Sequence, residues 1–429
     1  MALLIKSTRQ TIPETLGGIS NMSDLKKRIS PAVTVIIMFG IISMMGDVVY
    51  ETARSSNSQY LNLLGISAAK VGLVFGIGEF LGYFIRLISG FLSDKSGKHW
   101  IFMFLGYGML IVVPLIGVTI NWNIIIILIL MERIGKALRS PAKDTILSEV
   151  ADKQVGVGFA FGLQEALDQI GAFIGPLIFT VIFYFTRKNG VLQYQLGYKA
   201  LFIPYVILMV FLALVFMRVK NSNLVPDIKK EHHSEKLQPV FWIYMAFTFF
   251  CTLGFVNFST VGYHLKASGL MSDGNITLVY SLAMVIDAVT ALVIGKAYDK
   301  LKAKSGKRSG GLLVLMVLPV ISLFLPVLTL SHSTPLIVIG MIIFGIVMGI
   351  HETVMRSAIA DVTPFDKRGT GYGVFNTGYG LALMVGAALM GLLYDMNMTG
   401  VIIAFTFATE IIAAILYLKM NNTIKKQSA

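Results

Sequence analysis

Charge is what this sequence has least of. Only 14% of its 429 residues are Asp, Glu, Lys or Arg, against 55% hydrophobic, where soluble domains carry about 25% charged residues. So little polar surface cannot cover a chain of this length cut into soluble domains, and that class is excluded. Cysteine is nearly absent as well: Cys251 is the only one and sits inside an apolar run, so no disulfide framework exists. The six histidines are scattered, and a metal site needs several ligands in a suitable geometry, so no metal is expected. Neither Gly135-Lys136 nor Gly306-Lys307 has a glycine five residues upstream, so the phosphate-cradling loop of nucleotide hydrolases is missing. With nothing outside the membrane large enough for ATP hydrolysis or covalent chemistry, no enzyme and no cofactor are expected. A cleavable leader is not expected either: Met1–Ile5 is too short an apolar stretch, and residues 6–30 are largely polar.

What the chain has instead is apolar length. Mean hydropathy is +0.75, and a spanning helix needs roughly 20 apolar residues. Twelve candidate spans lie near 31–52, 68–92, 99–120, 123–139, 157–185, 200–218, 240–263, 275–298, 312–330, 335–355, 370–393 and 399–418. In lipid each backbone polar group must be satisfied within its own segment, so these runs read as helices. The 41 glycines suit close helix packing in a bilayer. The expected fold is an all-α membrane protein of twelve transmembrane helices in two six-helix pseudo-symmetric bundles.

The net charge of +13 raises the question of nucleic acid, but the bases fall mostly in short loops between apolar runs, as membrane orientation requires. One set of loops holds Lys95 and Lys98, then Arg139, Lys143 and Lys153, then Lys220, Lys229, Lys230 and Lys236, then six bases from Lys296 to Arg308, then Lys367, Arg368, Lys425 and Lys426. The other set holds Arg54, Lys70, Arg187, Lys188, Lys199 and Lys266. This asymmetry puts both termini in the cytoplasm of a cell whose inner or plasma membrane holds the chain, and no nucleic-acid partner is expected. The polar stretch Asn221–Pro239 divides six spans from six. The expected division is a tail over 1–30, bundles over 31–219 and 240–419, a cytoplasmic loop over 220–239 and a second tail over 420–429.

The halves repeat. Gly90, Asp94 and Lys95 recur as Gly295, Asp299 and Lys300 at one common spacing. Lys143, Gly156, Gly158 and Phe159 match Arg356, Gly369, Gly371 and Tyr372 at another. Two such halves with a site between them at mid-membrane describe a secondary transporter. The stretch Gly90-Phe-Leu-Ser-Asp94-Lys95-Ser-Gly97-Lys98-His99 resembles the loop signature of the major facilitator superfamily, with His99 where a second base is usual. The second copy carries extra residues between Lys300 and Gly306. The sequences around Phe255-Val-Asn-Phe-Ser and Gly349-Ile-His-Glu-Thr resemble a poorly characterised prokaryotic branch. The resemblance implies that Asp94 caps or pairs with a neighbouring helix, Arg139 being one partner, and locks the outward-facing state. The plainer reading is that any basic turn satisfies the charge rule.

Ionisable residues inside apolar runs are costly and usually face a cavity. The first span carries Asp47 and Glu51, the second Glu79 and Arg86, the fourth Glu132 and Arg133, the fifth Gln164, Glu165 and Asp168. Carboxylates near arginines suit proton coupling, with Asp47, Glu79 and Asp168 as the best candidates; the competing reading is structural ion pairing. In the second half Asp287 lies mid-helix, and His351 and Glu352 lie toward one end of the tenth span. His351 either relays protons or lines a water-filled vestibule. In the fifth span Gly162, Gly171, Gly175 and Pro176 resemble the glycine-proline run of the superfamily's proton antiporters, without its closing glycine pair; generic small-residue packing would look the same. Phe241, Trp242, Phe247, Phe249, Tyr372 and Phe375 either line an apolar pocket or face lipid and neighbouring helices. The expected activity is proton-coupled export of a small organic solute by alternating access in a single chain within the bilayer. An importer and a non-transporting sensor are the alternatives.

Overall fold

The computed structural model describes residues 31–152, 157–186, 190–220, 237–305, 308–363 and 368–428. The tail over 1–30 and most of the 220–239 loop lie outside the described residues. Twelve helical elements follow one another, and no strand occurs among the described residues. They are α1 (Pro31–Leu63), α2 (Ala68–Ser96), α3 (His99–Ile116), α4 (Trp122–Asp152), α5 (Val157–Phe185), α6 (Val191–Val219), α7 (Pro239–Ser268) and α8 (Asp273–Ser305). The last four are α9 (Gly310–Thr329), α10 (Thr334–Ile350, continued to Val362), α11 (Arg368–Asp395) and α12 (Thr399–Ser428). Eleven are long and apolar enough to cross a membrane. The twelfth, α4, is diluted by Glu132, Arg133, Lys136 and Arg139, which lie within its apolar run.

Several helices outrun their apolar spans, because hydropathy counts the part that suits lipid and not the part that suits protein. Residues 52–59 of α1 read as a polar loop, yet Thr52, Ser55, Ser56, Asn57, Ser58 and Gln59 are buried. Their polar atoms are met locally and by α6. Ser55 Oγ donates to the Thr52 carbonyl (2.8 Å), Gln59 Nε2 to the Ser55 carbonyl (2.6 Å), and Tyr198 O–H to Asn57 Oδ1 (2.6 Å). Arg54, Lys199 and Lys266 are therefore helical residues and not loop residues. Arg139 and Lys143 are likewise buried in α4, which removes two bases from the loop asymmetry.

Two helices are interrupted. α7 breaks at Gly254–Asn257, and Asn257 restarts it as an N-cap, its Oδ1 accepting from the Thr260 N–H (3.2 Å). The freed Gly254 carbonyl accepts from Thr406 Oγ1 of α12 (2.9 Å), the kind of repair a break at membrane depth needs. α10 widens into a π turn over His351–Met355.

Buried apolar side chains form two clusters, one drawn from α1 to α6 and one almost entirely from α7 to α12. The halves meet along antiparallel pairs. α2 runs beside α11 with Gly72 against the Ala387 carbonyl, Gly76 against Met384 and Gly391 against the Ala68 carbonyl. α5 runs beside α8, with the hydroxyls of Thr180 and Thr277 2.8 Å apart and Ser281 Oγ donating to the Phe173 carbonyl (2.8 Å). Within each half, α1 packs parallel on α5 and α8 parallel on α10.

Candidate functional site

A cavity of about 240 Å³ lies between the halves, lined by α1, α2, α4, α5, α7, α8, α10 and α11 with Tyr107 of α3. Helical periodicity supplies its walls. Ser43, Asp47, Tyr50, Glu51, Arg54 and Ser58 recur at intervals of three or four along one face of α1. Phe75, Glu79, Gly82, Tyr83 and Arg86 do so on α2, and Arg133, Lys136, Arg139, Ser140, Lys143 and Asp144 on α4. α5 contributes Gln164, Glu165, Asp168 and Gln169. Each helix is thus amphipathic with its polar stripe turned inward, which places the costly charges where they face one another.

Four ion pairs organise the first half of the site. Arg133 is the hub: it lies 3.0 Å from Glu79 and 3.4 Å from Glu132, and its guanidinium also donates to the Tyr50 hydroxyl. Arg54 pairs with Glu51 (3.3 Å), and the other Glu51 oxygen accepts from Tyr280 O–H of α8 (2.6 Å), a bond that crosses between the halves. Lys143 sits 3.8 Å from Asp168 and donates to Ser43 Oγ (2.6 Å). Asp168 also accepts from Gln164 (3.4 Å), and Glu165 from Gln169 (3.3 Å). Asp47 lines the cavity without an ion pair among the described residues. Arg86 lies over the Tyr83 ring and Lys136 over the Tyr50 ring, 5.2 and 3.7 Å from the ring centres.

The second half contributes Phe255, Asn257, Phe258 and Ser259 from the α7 break, Met284 and Asp287 from α8, Met348 and Glu352 from α10, and Tyr379 and Leu383 from α11. Close packing of α8 and α10 sets the two acids side by side: a Cβ on Gly345 would fall 2.4 Å from the Ala283 carbonyl, and one on Gly349 2.7 Å from the Asp287 carbonyl.

The charged residues that the sequence singles out in α1, α2, α4, α5, α8 and α10 therefore converge, with two exceptions. Glu132 lies behind Arg133, outside the cavity. His351 also lies outside the lining, buried against Phe255, its Nδ1 3.1 Å from the Tyr379 hydroxyl. The π turn that holds His351 presents its neighbour Glu352 to the cavity. None of Phe241, Trp242, Phe247, Phe249, Tyr372 and Phe375 lines the cavity either; Phe241, Phe247 and Phe375 are core and Trp242 faces outward. Sequence reading missed Tyr50, Arg54, Lys136, Arg139 and Lys143 as lining residues. The three- and four-residue spacing from Arg133 to Lys143 was the available signal.

At the loop pair, Asp94 accepts from Thr145 Oγ1 of α4 (3.4 Å), while Arg139 turns to the Gly106 carbonyl and the Tyr107 ring. Gly97 ends α2 in the left-handed conformation (φ 64°) that glycine adopts freely, and Lys95 reaches over the Phe91 ring. In the second copy the roles invert. Tyr298 O–H and Lys302 Nζ of α8 both reach Asp361 of α10 (2.6 Å each), so the acid sits on α10, and Asp299 has no part in this tie. Lys98 lies in the exposed turn before α3, and Lys300 on the exposed end of α8. Gly90 and Gly295 are not the tight points of the fold: a Cβ would meet Pro141 at 3.4 Å and Thr353 at 3.3 Å. Gly306 and Lys307 lie outside the described residues. Of the α5 run, Gly171 and Gly175 abut the Met44 and Val48 carbonyls, Gly162 has nothing within 4 Å, and Pro176 lies inside the helix.

Among the described residues several cross-half hydrogen bonds gather at one end. Asp395, at the C-terminus of α11, accepts from the Ala68 and Ala69 N–H groups at the start of α2 (2.7 and 2.9 Å). Tyr263 O–H donates to the Ile66 carbonyl (2.9 Å), and Tyr184 bonds Asn275. From there the cavity reaches the other end, where it is lined by Asp144, neighbour of the Thr145 that touches Asp94. A family model described as Major Facilitator Superfamily matches residues 29–326 and 270–429. The chain belongs to the major facilitator superfamily. It is 34% identical to an uncharacterised protein of Mycobacterium tuberculosis over 388 residues, covering 89% of this chain and 91% of that one. It is 24% identical over 370 residues to an uncharacterised MFS-type transporter of Methanocaldococcus jannaschii, covering 84% and 89%. Among solved structures it resembles a bacterial homologue of the human lysosomal transporter Spinster in its inward-facing, unoccupied conformation, with TM-score 0.70, 14% identity and coverage of 92% and 98%. It also resembles tetrameric PepTSo2, with TM-score 0.70, 12% identity and coverage of 93% and 99%. At these identities the structural likeness speaks for the fold. The protein is a multi-pass membrane transporter of this superfamily.

Proposed function

We propose that this chain is a proton-coupled secondary carrier that moves a small, polar organic solute by alternating access. The observation that carries the reading is a charged cavity between two halves that, among the described residues, are hydrogen-bonded together toward one end. Rocking the halves about the glycine-lined α2–α11 contact and the hydroxyl-bonded α5–α8 contact would break those bonds and present the cavity to the other side. The lining is too rich in charge for a lipophilic cargo. Glu79 and Asp168 are paired with Arg133 and Lys143, and Asp47 lines the same cavity; a carboxylate whose cationic neighbour comes and goes binds and releases a proton.

The remaining features extend the proposal. The bases Lys95, Lys98, Lys296, Lys300, Lys302 and Lys304 share one end of the molecule, which supports cytoplasmic termini in the cell membrane. The Gly90–Lys98 and Gly295–Lys300 stretches gate that end through the ties of α2 to α4 and α8 to α10. Export is the direction we propose, on the α5 run in which Gly171 and Gly175 seat the helix on α1, and one chain suffices for the cycle. The test is reconstitution in liposomes holding a trapped pH dye, challenged with mixed polar solutes. Solute-driven proton movement is expected, reduced at least tenfold in Asp168→Asn. Solute movement with no accompanying proton flux would overturn the coupling.

A further inference from the structure

Among the described residues, positive charge in the cavity is confined to the first half, while the second half is acidic. All six lining bases among the described residues, Arg54, Arg86, Arg133, Lys136, Arg139 and Lys143, come from the first half, together with the acids Asp47, Glu51, Glu79, Asp144, Glu165 and Asp168, whereas the second half supplies the acids Asp287 and Glu352 and no base. Within the first half, Arg54, Arg133 and Lys143 are each held by a carboxylate. Arg86, Lys136 and Arg139 are not: they rest on the rings of Tyr83, Tyr50 and Tyr107. Arg86 Nε is buried without a hydrogen-bond partner among the described residues. Across the cavity Asp287 is 2% exposed, and its Oδ1 is likewise buried without a partner. A buried ionised group left unmatched is costly, so groups of this kind are kept where a ligand supplies the missing partner.

We propose that the substrate is a small zwitterion, its anionic group taken by Arg86 and Lys136 of the first half and its cationic group by Asp287 and Glu352 of the second. This rests on the carrier reading but not on proton coupling. A zwitterion is the one charge class that offers both walls a partner at once. An anion would leave Asp287 and Glu352 unmatched, and a cation would leave Arg86 and Lys136 unmatched. Bridging the halves also gives the solute a part in the cycle, since it would hold both walls to one another while the far end opens.

The experiment loads proteoliposomes with three mixtures on the same skeletons: alanine, dialanine and trialanine as free zwitterions, as N-acetylated anions and as C-terminal amides. Vesicle contents are read by mass spectrometry under counterflow. The zwitterions are expected to exchange at least tenfold faster than either derivative. In Asp287→Asn the preference over the N-acetylated series should fall roughly tenfold, and in Lys136→Gln the preference over the amides should fall likewise, the loss of one charged partner being worth about that much. Both readouts are ratios, so a lower yield of folded variant does not disturb them. Preference for a derivative series, preferences unchanged in both variants, or exclusion of all three mixtures while other polar solutes exchange would each overturn the inference and leave the carrier standing. Failure of any solute to exchange would instead strike at the carrier reading.

Discussion

Arg133 shows what a single charged residue does in this setting. It is buried, and it answers Glu79, Glu132 and Tyr50 together. Removing one partner of a buried pair costs about 3–5 kcal/mol because the other charge is left uncompensated. Arg133→Met is therefore expected to lower stability by about that amount, measured by denaturation in detergent. The Arg133→Met/Glu79→Gln double variant should recover part of the loss, and a simple sum of the two single losses would show that the pair is not coupled. That Arg133 is a buried charge and Glu79 a half-buried one was legible from their places in apolar runs. Their pairing was not, since Glu79 is on α2 and Arg133 on α4, and nothing in their spacing along the chain brings those helices together.

At the scale of the element, glycine is informative only where two backbones meet. In α5 a Cβ at Gly171 would sit 2.3 Å from the Met44 carbonyl, whereas one at Gly162 would meet nothing within 4 Å. Gly171→Leu should push α5 off α1 and abolish a monodisperse, transport-competent protein, while Gly162→Leu should behave like the parent in melting temperature and in transport. Equal tolerance at both positions would contradict this packing. Read as a string, the α5 glycines are equivalent, and Gly90 and Gly295 stand out only because they repeat. The neighbouring helix decides otherwise, through Gly72 and Gly76 on α2 and Gly345 and Gly349 on α10. The tie at the second loop is a similar case. Repeat symmetry points to Asp299, but Asp361 of α10 receives Tyr298 and Lys302.

For the whole molecule the decisive contact is Asp395. An acid at the C-terminus of its own helix is electrostatically misplaced, whereas the N-terminus of α2 welcomes it. It is matched in this way when the halves meet at that end, where it accepts from the Ala68 and Ala69 N–H groups. Asp395→Ala removes a cap worth about 1 kcal/mol, which shifts two balanced conformations roughly fivefold. Labelling of a cysteine introduced at Ser58, a buried lining residue, should accordingly quicken for reagents added at the end that carries the α1–α2 loop. Unchanged labelling would mean that Asp395 does not hold the closed end.

The sequence by itself determined the class of machine. Apolar length imposes helices in lipid, scarce charge confines polar chemistry to a few positions, and the repeated loop marks two halves. These are local or periodic properties that each segment carries alone. Tertiary structure decided which charges share a cavity and which partner each one takes. It also made the buried 52–59 stretch, polar on paper, part of a helix, because Tyr194 and Tyr198 of α6 meet Gln59 and Asn57 there. Those outcomes depend on pairings between helices distant in sequence, and their energies exist only once the two surfaces touch.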